Sequence, residues 1–129
     1  MANGKPLLKD KDKKVKLPTL SKLQKKCDKN LQEKGRKDFT RCEVCGKPMS
    51  CLHHFFPKST SARLRYDWDN LIPICNGCHM QHHQAGNPRI HGTVIKKRGQ
   101  AWYDTLNKKS KETIKVNREY YMYILDMLT

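Results

Sequence analysis

Residues 42–83 read CEVCGKPMSCLHHFFPKSTSARLRYDWDNLIPICNGCHMQHH. Two Cys-x-x-Cys pairs, Cys42 with Cys45 and Cys75 with Cys78, frame this stretch, each with the spacing that lets one tight turn present two thiolates to a tetrahedral ion. Gly46-Lys47-Pro48 supplies turn chemistry after the first pair, and such a turn aims backbone amides at the sulfur charge. The reading is a structural zinc with all four positions filled by the chain. The 29 residues from 46 to 74 exceed the roughly 15–20 of a plain zinc ribbon, so something is built between the pairs. Cys51 has no partner at short spacing and reads as a buried strand residue. No βαβ pattern surrounds either pair, which speaks against a thioredoxin-like redox role.

Inside the frame, residues 51–56 (CLHHFF) and 71–74 (LIPI) are short, apolar runs suited to strands, and 76–84 suit a helix ended by Gly86-Asn87-Pro88. The order is strand, loop, strand, helix. On a strand His53 and His54 point to opposite faces unless the backbone bends, and a bend before Pro57 would let both reach one site. His79 and His83 lie one turn apart on a single helical face. Two such imidazoles suit a divalent ion, and a third from a strand leaves room for water or phosphate oxygens.

Outward from this centre, residues 1–17 are highly charged with few apolar side chains and read as a flexible basic tail, idle or ordering on nucleic acid. Leu20, Leu23, Cys27 and Leu31 recur at helical spacing, with Pro18 near the start and Gly35 as a stop, which predicts a helix over 19–34 with Cys27 in the core. Beyond Pro88 a short helix is expected over 100–106 and a longer one over 111–128, marked by Ile114, Tyr121, Ile124, Leu125 and Leu128. Tyr120, Tyr121 and Tyr123 read as core packing, with stacking on bases as the alternative. The expected organisation is one domain over 18–129, its core at 39–88 and its C-terminal helices within 98–128.

Composition agrees. The chain has 129 residues, of which 36% are hydrophobic and 30% charged, a modest apolar supply that a metal can supplement. Lys and Arg number 27 against 12 Asp and Glu, a formal charge of +15 that favours a polyanionic partner. There is no run of 18 apolar residues, and Met1 to Lys16 is charged where a signal peptide needs an apolar stretch. A cytoplasmic location is expected, the host's cytoplasm if the chain is phage-encoded, and there Cys-x-x-Cys pairs hold zinc more readily than they form disulfides.

His53-His54, then Asp69-Asn70-Leu71, then Cys75-x-x-Cys78-His79 resembles the HNH (ββα-metal) endonuclease motif, over about residues 41–84. The resemblance implies an α+β fold: a ββα-metal motif with a four-cysteine zinc knot, flanked by N- and C-terminal helices. It also implies roles. His53 would bind a catalytic divalent ion, His54 would activate water as general base, Asn70 would act with it by orienting the hairpin loop, and His79 would complete the metal shell. His83 resembles the extra helix histidine of the colicin-type members and is a second candidate ligand, whereas His82 points elsewhere, toward phosphate or solvent. A wider resemblance runs through Leu64-Arg65-Tyr66, Asp69-Asn70, Gly86-Asn87-Pro88 and Arg98-Gly99, which is similar to phage recombination proteins of the NinG (Rap) type. The chain departs from that group at His53, where Gly is expected, and at His79, where Asn is expected.

The reaction these resemblances imply is metal-dependent hydrolysis of DNA phosphodiester bonds leaving 5′-phosphate and 3′-hydroxyl ends, in phage or mobile-element DNA processing. Mg²⁺ or Mn²⁺ is the first expectation for the catalytic ion, with Zn²⁺ or Ni²⁺ as alternatives. Lys58, Arg63 and Arg65, between the strands, are the candidate phosphate contacts. With no base-reading element, binding should be electrostatic and steeply salt-dependent. Competing readings are a non-catalytic zinc-dependent DNA-binding accessory protein of recombination and an anion-binding protein unrelated to nucleic acid. Monomer and homodimer stay open.

Overall fold

The computed structural model describes residues 16–85 and 88–129. The expected basic tail lies outside them except for its last two residues, as do Gly86 and Asn87. Among the described residues the order is α1 (Leu20–Asp38), β1 (Cys51–His54), β2 (Leu71–Ile74), α2 (Asn76–Ala85), α3 (Pro88–Arg98), α4 (Gln100–Ser110) and α5 (Arg118–Met127), with a 3₁₀ turn at Trp68–Asn70 leading into β2. This is an α+β arrangement, a two-stranded sheet and a helix flanked by N- and C-terminal helices.

Helix α1 starts at Thr19, whose hydroxyl accepts from the Lys22 amide at 3.2 Å, a cap that satisfies one of the first turn's spare donors. Its buried stripe is Leu23, Cys27, Leu31 and Gly35, while Leu20 falls off the stripe at 43% exposed. Cys27 is core as expected, its thiol donating to the Tyr121 carbonyl at 3.5 Å. Gly35 does not stop the helix, contrary to its reading as a terminator. It is the point of closest approach to the sheet: a Cβ built there would sit 2.4 Å from Leu52 Cδ1. Packing against Leu52 selects glycine here, and the helix runs on to Asp38, where Phe39 N–H returns to the Gly35 carbonyl at 2.9 Å.

β1 and β2 pair antiparallel in the register Cys51↔Ile74, Leu52↔Pro73, His53↔Ile72, His54↔Leu71. Pro73 fits because each strand of a two-stranded sheet has a free edge. The strand expected over 51–56 ends at His54, although Phe55 N–H still reaches the Asn70 carbonyl at 2.8 Å. One side of the hairpin carries Leu52 and Leu71 into a cluster with Leu23, Cys27, Leu31, Tyr121, Ile124 and Leu128 of α1 and the C-terminal segment. The other carries Ile72 against Phe55, Leu64, Val94 and Leu106, and Ile74 against Ile90 and the cysteines. Each fully buried aliphatic side chain contributes about 1.5–3 kcal/mol.

Three helical expectations need correction. Residues 88–98 form a full helix, α3, where the sequence reading assigns none, broken from α4 at Gly99, whose φ of 103° suits glycine. α4 runs to Ser110 rather than ending near 106. The last helix begins at Arg118 rather than 111, because Asn117 caps it by accepting from the Tyr120 amide at 2.9 Å. On it Tyr121 is core and Tyr123 is 62% exposed.

Candidate active site and zinc knot

The thiols of Cys42, Cys45, Cys75 and Cys78 come within 4.8 Å of one another, where one ion could take all four. The first turn closes through Gly46 N–H to the Cys42 carbonyl at 2.9 Å, with Gly46 at φ 80°, and the second through Cys78 N–H to the Cys75 sulfur at 3.4 Å. Burial and its sulfur neighbours push the Cys78 thiol up to about 12, while burial of Cys42 is outweighed by backbone amides that bring it down to about 7. Four thiolates cannot crowd so closely on their own. A soft-ligand dication such as zinc relieves that repulsion, so the donor set fits a structural zinc.

Beside the knot stands a cluster of imidazoles. β1 turns His53 inward, 7% exposed, across from Ile72, and α2 presents His79 and His83 with their Nε2 atoms 2.9 Å apart. The donor atoms of His53, His79 and His83 all lie within 4.8 Å of one another. His79 is steadied from behind by the Cys51 thiol, 3.6 Å from its Nδ1, so Cys51 is half-buried and in contact with the site. Burial first, then the neighbouring imidazoles, drives His53 down to about 3 and lowers His79 as well. These rings are therefore neutral near pH 7, the state in which imidazole offers a lone pair to a metal.

His54 faces the other side of the strand, as period-2 alternation requires, yet both histidines border one cleft of about 460 Å³ together with Gln32, Pro57, Lys58, His79 and His83. Its Nε2 donates to the Arg65 carbonyl at 2.9 Å. Only a protonated Nε2 can make that bond, so in the neutral ring Nδ1 keeps its lone pair. Burial holds His54 below its ordinary 6.5, against the opposing pull of the Arg65 carbonyl.

Residues 42–85 match the HNH endonuclease family. A similar segment occurs in the mitochondrial DNA mismatch repair protein mutS homolog of Sarcophyton glaucum, 38% identical over 47 residues, covering 33% of this chain and 5% of that protein. The chain thus corresponds to a small fraction of that relative. No solved structure matches.

Within the matched segment Asn70 is fully buried and staples the inter-strand loop: its side chain accepts from Phe56 N–H at 2.7 Å and donates to the carbonyls of Phe56 and Leu64, both at 3.1 Å. These bonds fix the turn that carries Arg65 to His54. Of the three expected phosphate contacts, exposed Lys58 borders the cleft. Arg65 is instead gripped by Asp28 of α1, with N–O distances of 2.6 and 3.1 Å, and Tyr66 donates to the same carboxylate at 2.8 Å. Arg63 pairs with Asp67 at 3.2 Å and Glu112 at 3.1 Å.

Two histidines stand where the sequence reading does not put them. His82, expected to point away, has its ring 4.8 Å from His53, and its Nδ1 is buried with no hydrogen-bond partner among the described residues. The cause is α3, which folds against α2 and brings His91 over it. His91 is absent from the sequence reading altogether. Pro88 at a first helical position, Ile90 and Val94 four apart, basic residues at 96–98 and Gly99 beyond are the signals that would have given α3 and, one residue after Ile90, His91.

Proposed function

We propose that this chain is a metal-dependent endonuclease that hydrolyses DNA phosphodiester bonds, with His54 as general base and 5′-phosphate and 3′-hydroxyl products. The observation that carries the reading is the His54 tautomer: with Nε2–H committed to the Arg65 carbonyl, the free Nδ1 is a base on the cleft that His79 and His83 also line. His54 takes the proton from the attacking water, and its neutral state near pH 7 matches that task. His53, His79 and His83 would hold the divalent ion. When bound, that ion supplies the positive charge that stabilises the leaving 3′ oxygen. Three imidazoles accept several dications, with Mg²⁺ or Mn²⁺ as the working ions and Zn²⁺ or Ni²⁺ as alternatives.

Lys58 is the cation placed to meet a phosphate at the cleft, while Arg63 and Arg65 serve the loop through their carboxylate partners. The formal charge of +15 supports a DNA backbone as the partner, and the likeness to phage recombination proteins supports phage or mobile-element DNA processing. The test is nicking of supercoiled plasmid with added Mg²⁺ or Mn²⁺, with EDTA, and by His54→Ala at equal zinc content. Metal-dependent nicking that the folded, DNA-binding variant loses supports the reading. A wild type that binds DNA but cuts neither plasmid nor branched DNA with any of the four ions would instead make it an accessory DNA-binding module.

A further inference from the structure

The imidazole cluster is larger than the proposed catalytic set needs. His53, His82 and His91 form a second group of three whose donor atoms also lie within 4.8 Å of one another, and it is the more enclosed one: His82 and His91 are half-buried, whereas His83 of the outer group is exposed. Its members converge from three separate elements, β1, α2 and α3.

The arrangement within this inner group is that of ligands facing a common point. Nε2 of His53 lies 3.1 Å from Nε2 of His91. Two imidazole nitrogens bound to one tetrahedral ion at about 2.0–2.1 Å stand about 3.3 Å apart, so the pair is already near the spacing a shared cation would set. His91 is held in place by stacking on Phe55, ring centres 4.1 Å apart and planes at 25°, and it stacks in turn on His82 at 4.5 Å. His82 adds its ring to the group and has a buried Nδ1 with no hydrogen-bond partner among the described residues. A buried polar atom left without a partner is costly, and an ion bound by His53 and His91 would provide one.

The geometry points to a second cation position at His53, His82 and His91, suited to a borderline transition-metal dication such as Zn²⁺ or Co²⁺. The enclosed inner set favours a transition-metal dication over Mg²⁺, whereas the exposed His83 leaves the outer position open to the water and phosphate oxygens that a Mg²⁺ shell needs. Because His53 belongs to both triads, an ion in the inner position draws His53 away from His79 and His83. On the endonuclease reading, on which this one consequence rests, excess zinc then opposes the ion that supports cleavage.

The test reads metal binding alone, without DNA, so its failure is distinct from failure of the nuclease reading. Protein carrying one zinc in the cysteine knot is titrated with Co²⁺, following visible ligand-field bands and metal stoichiometry; cobalt that strays into the knot is recognised by its thiolate charge-transfer absorption. His79→Ala/His83→Ala should still take up one cobalt outside the knot. Adding His82→Ala or His91→Phe to that double variant should weaken this binding by more than about tenfold. His91→Phe keeps a ring on Phe55, and unchanged circular dichroism and thermal melting confirm that the fold persists. Absence of cobalt binding in the folded outer-pair variant overturns the proposal, as does equal affinity with and without His82 and His91.

Discussion

His54 and Arg65 are joined through the side chain of one and the backbone of the other: His54 Nε2 donates to the Arg65 carbonyl at 2.9 Å. The guanidinium of the same arginine reaches the opposite way, to both carboxylate oxygens of Asp28 on α1. The ring proposed as base is thereby referenced through one residue to α1, the longest helix among the described residues.

If His54 is the base as proposed, that linkage makes Asp28 a positioning residue. Asp28→Asn should weaken the grip on Arg65 and let its carbonyl wander, lowering the single-turnover cleavage rate several-fold at saturating metal while metal affinity stays the same. The stability cost should be about 1–2 kcal/mol, since a charge-assisted pair with the carboxylate 28% exposed is lost. A fall in metal affinity that accounts for the whole loss of rate would contradict the assignment.

The pH profile follows from the same ring. The neutral form is the proposed base, and burial lowers the His54 pKa from 6.5, so cleavage at saturating metal should be level around pH 7 and above and fall as pH drops through a midpoint below 6.5. Residual activity in His54→Ala should lack this limb. A rate still rising between pH 7 and 8.5 in step with His54 titration would show that the ring is not held as described.

Asn70 makes three hydrogen bonds at zero exposure, so Asn70→Ala leaves the Phe56 amide and two carbonyls to find new partners. Each unsatisfied buried group costs about 1–3 kcal/mol, so urea unfolding should show a loss of at least about 2 kcal/mol. Activity should fall with it even at temperatures where the variant is folded, because the loop that presents Arg65 to His54 is no longer fixed. Wild-type stability in this variant would mean that the loop is held by other means.

Gly35→Ala tests the contact between α1 and the sheet. Alanine is ordinarily the better helix former by about 1 kcal/mol, yet here its methyl would meet Leu52 Cδ1 at 2.4 Å, so the substitution should destabilise by about 1–3 kcal/mol. Combining it with Leu52→Ala should recover part of that loss. An alanine variant as stable as wild type would remove the steric argument.

The contrast between Cys75-x-x-Cys78-His79 and His91 shows what the sequence can disclose. Ligand spacing within one turn is a local property, so both cysteine pairs and the i, i+4 relation of His79 and His83 are legible residue by residue. The hairpin was legible too, since its strands are short apolar runs on either side of a polar loop. His91 joins the cluster only because α3 packs across α2, a tertiary event hidden behind the Gly86-Asn87-Pro88 turn signal. Gly35 misled for a related reason: a glycine near a helix end signals a stop unless another element needs its missing side chain, and Leu52 lies 17 positions away. Arg65 carries a charge suited to phosphate, and only the folded chain reveals Asp28 beside it.

The cysteine cluster also bears on how the chain closes on itself. Cys45 and Cys75 meet at 3.5 Å, at the base of a loop that contains both strands and His53, His54 and Asn70. Closing such a loop without a fastener carries an entropic penalty that an unaided two-stranded hairpin meets poorly. Zinc held by the four cysteines would supply that fastener, so a chain synthesised where zinc is scarce would hold the candidate residues in its primary structure without the knot that helps to gather them.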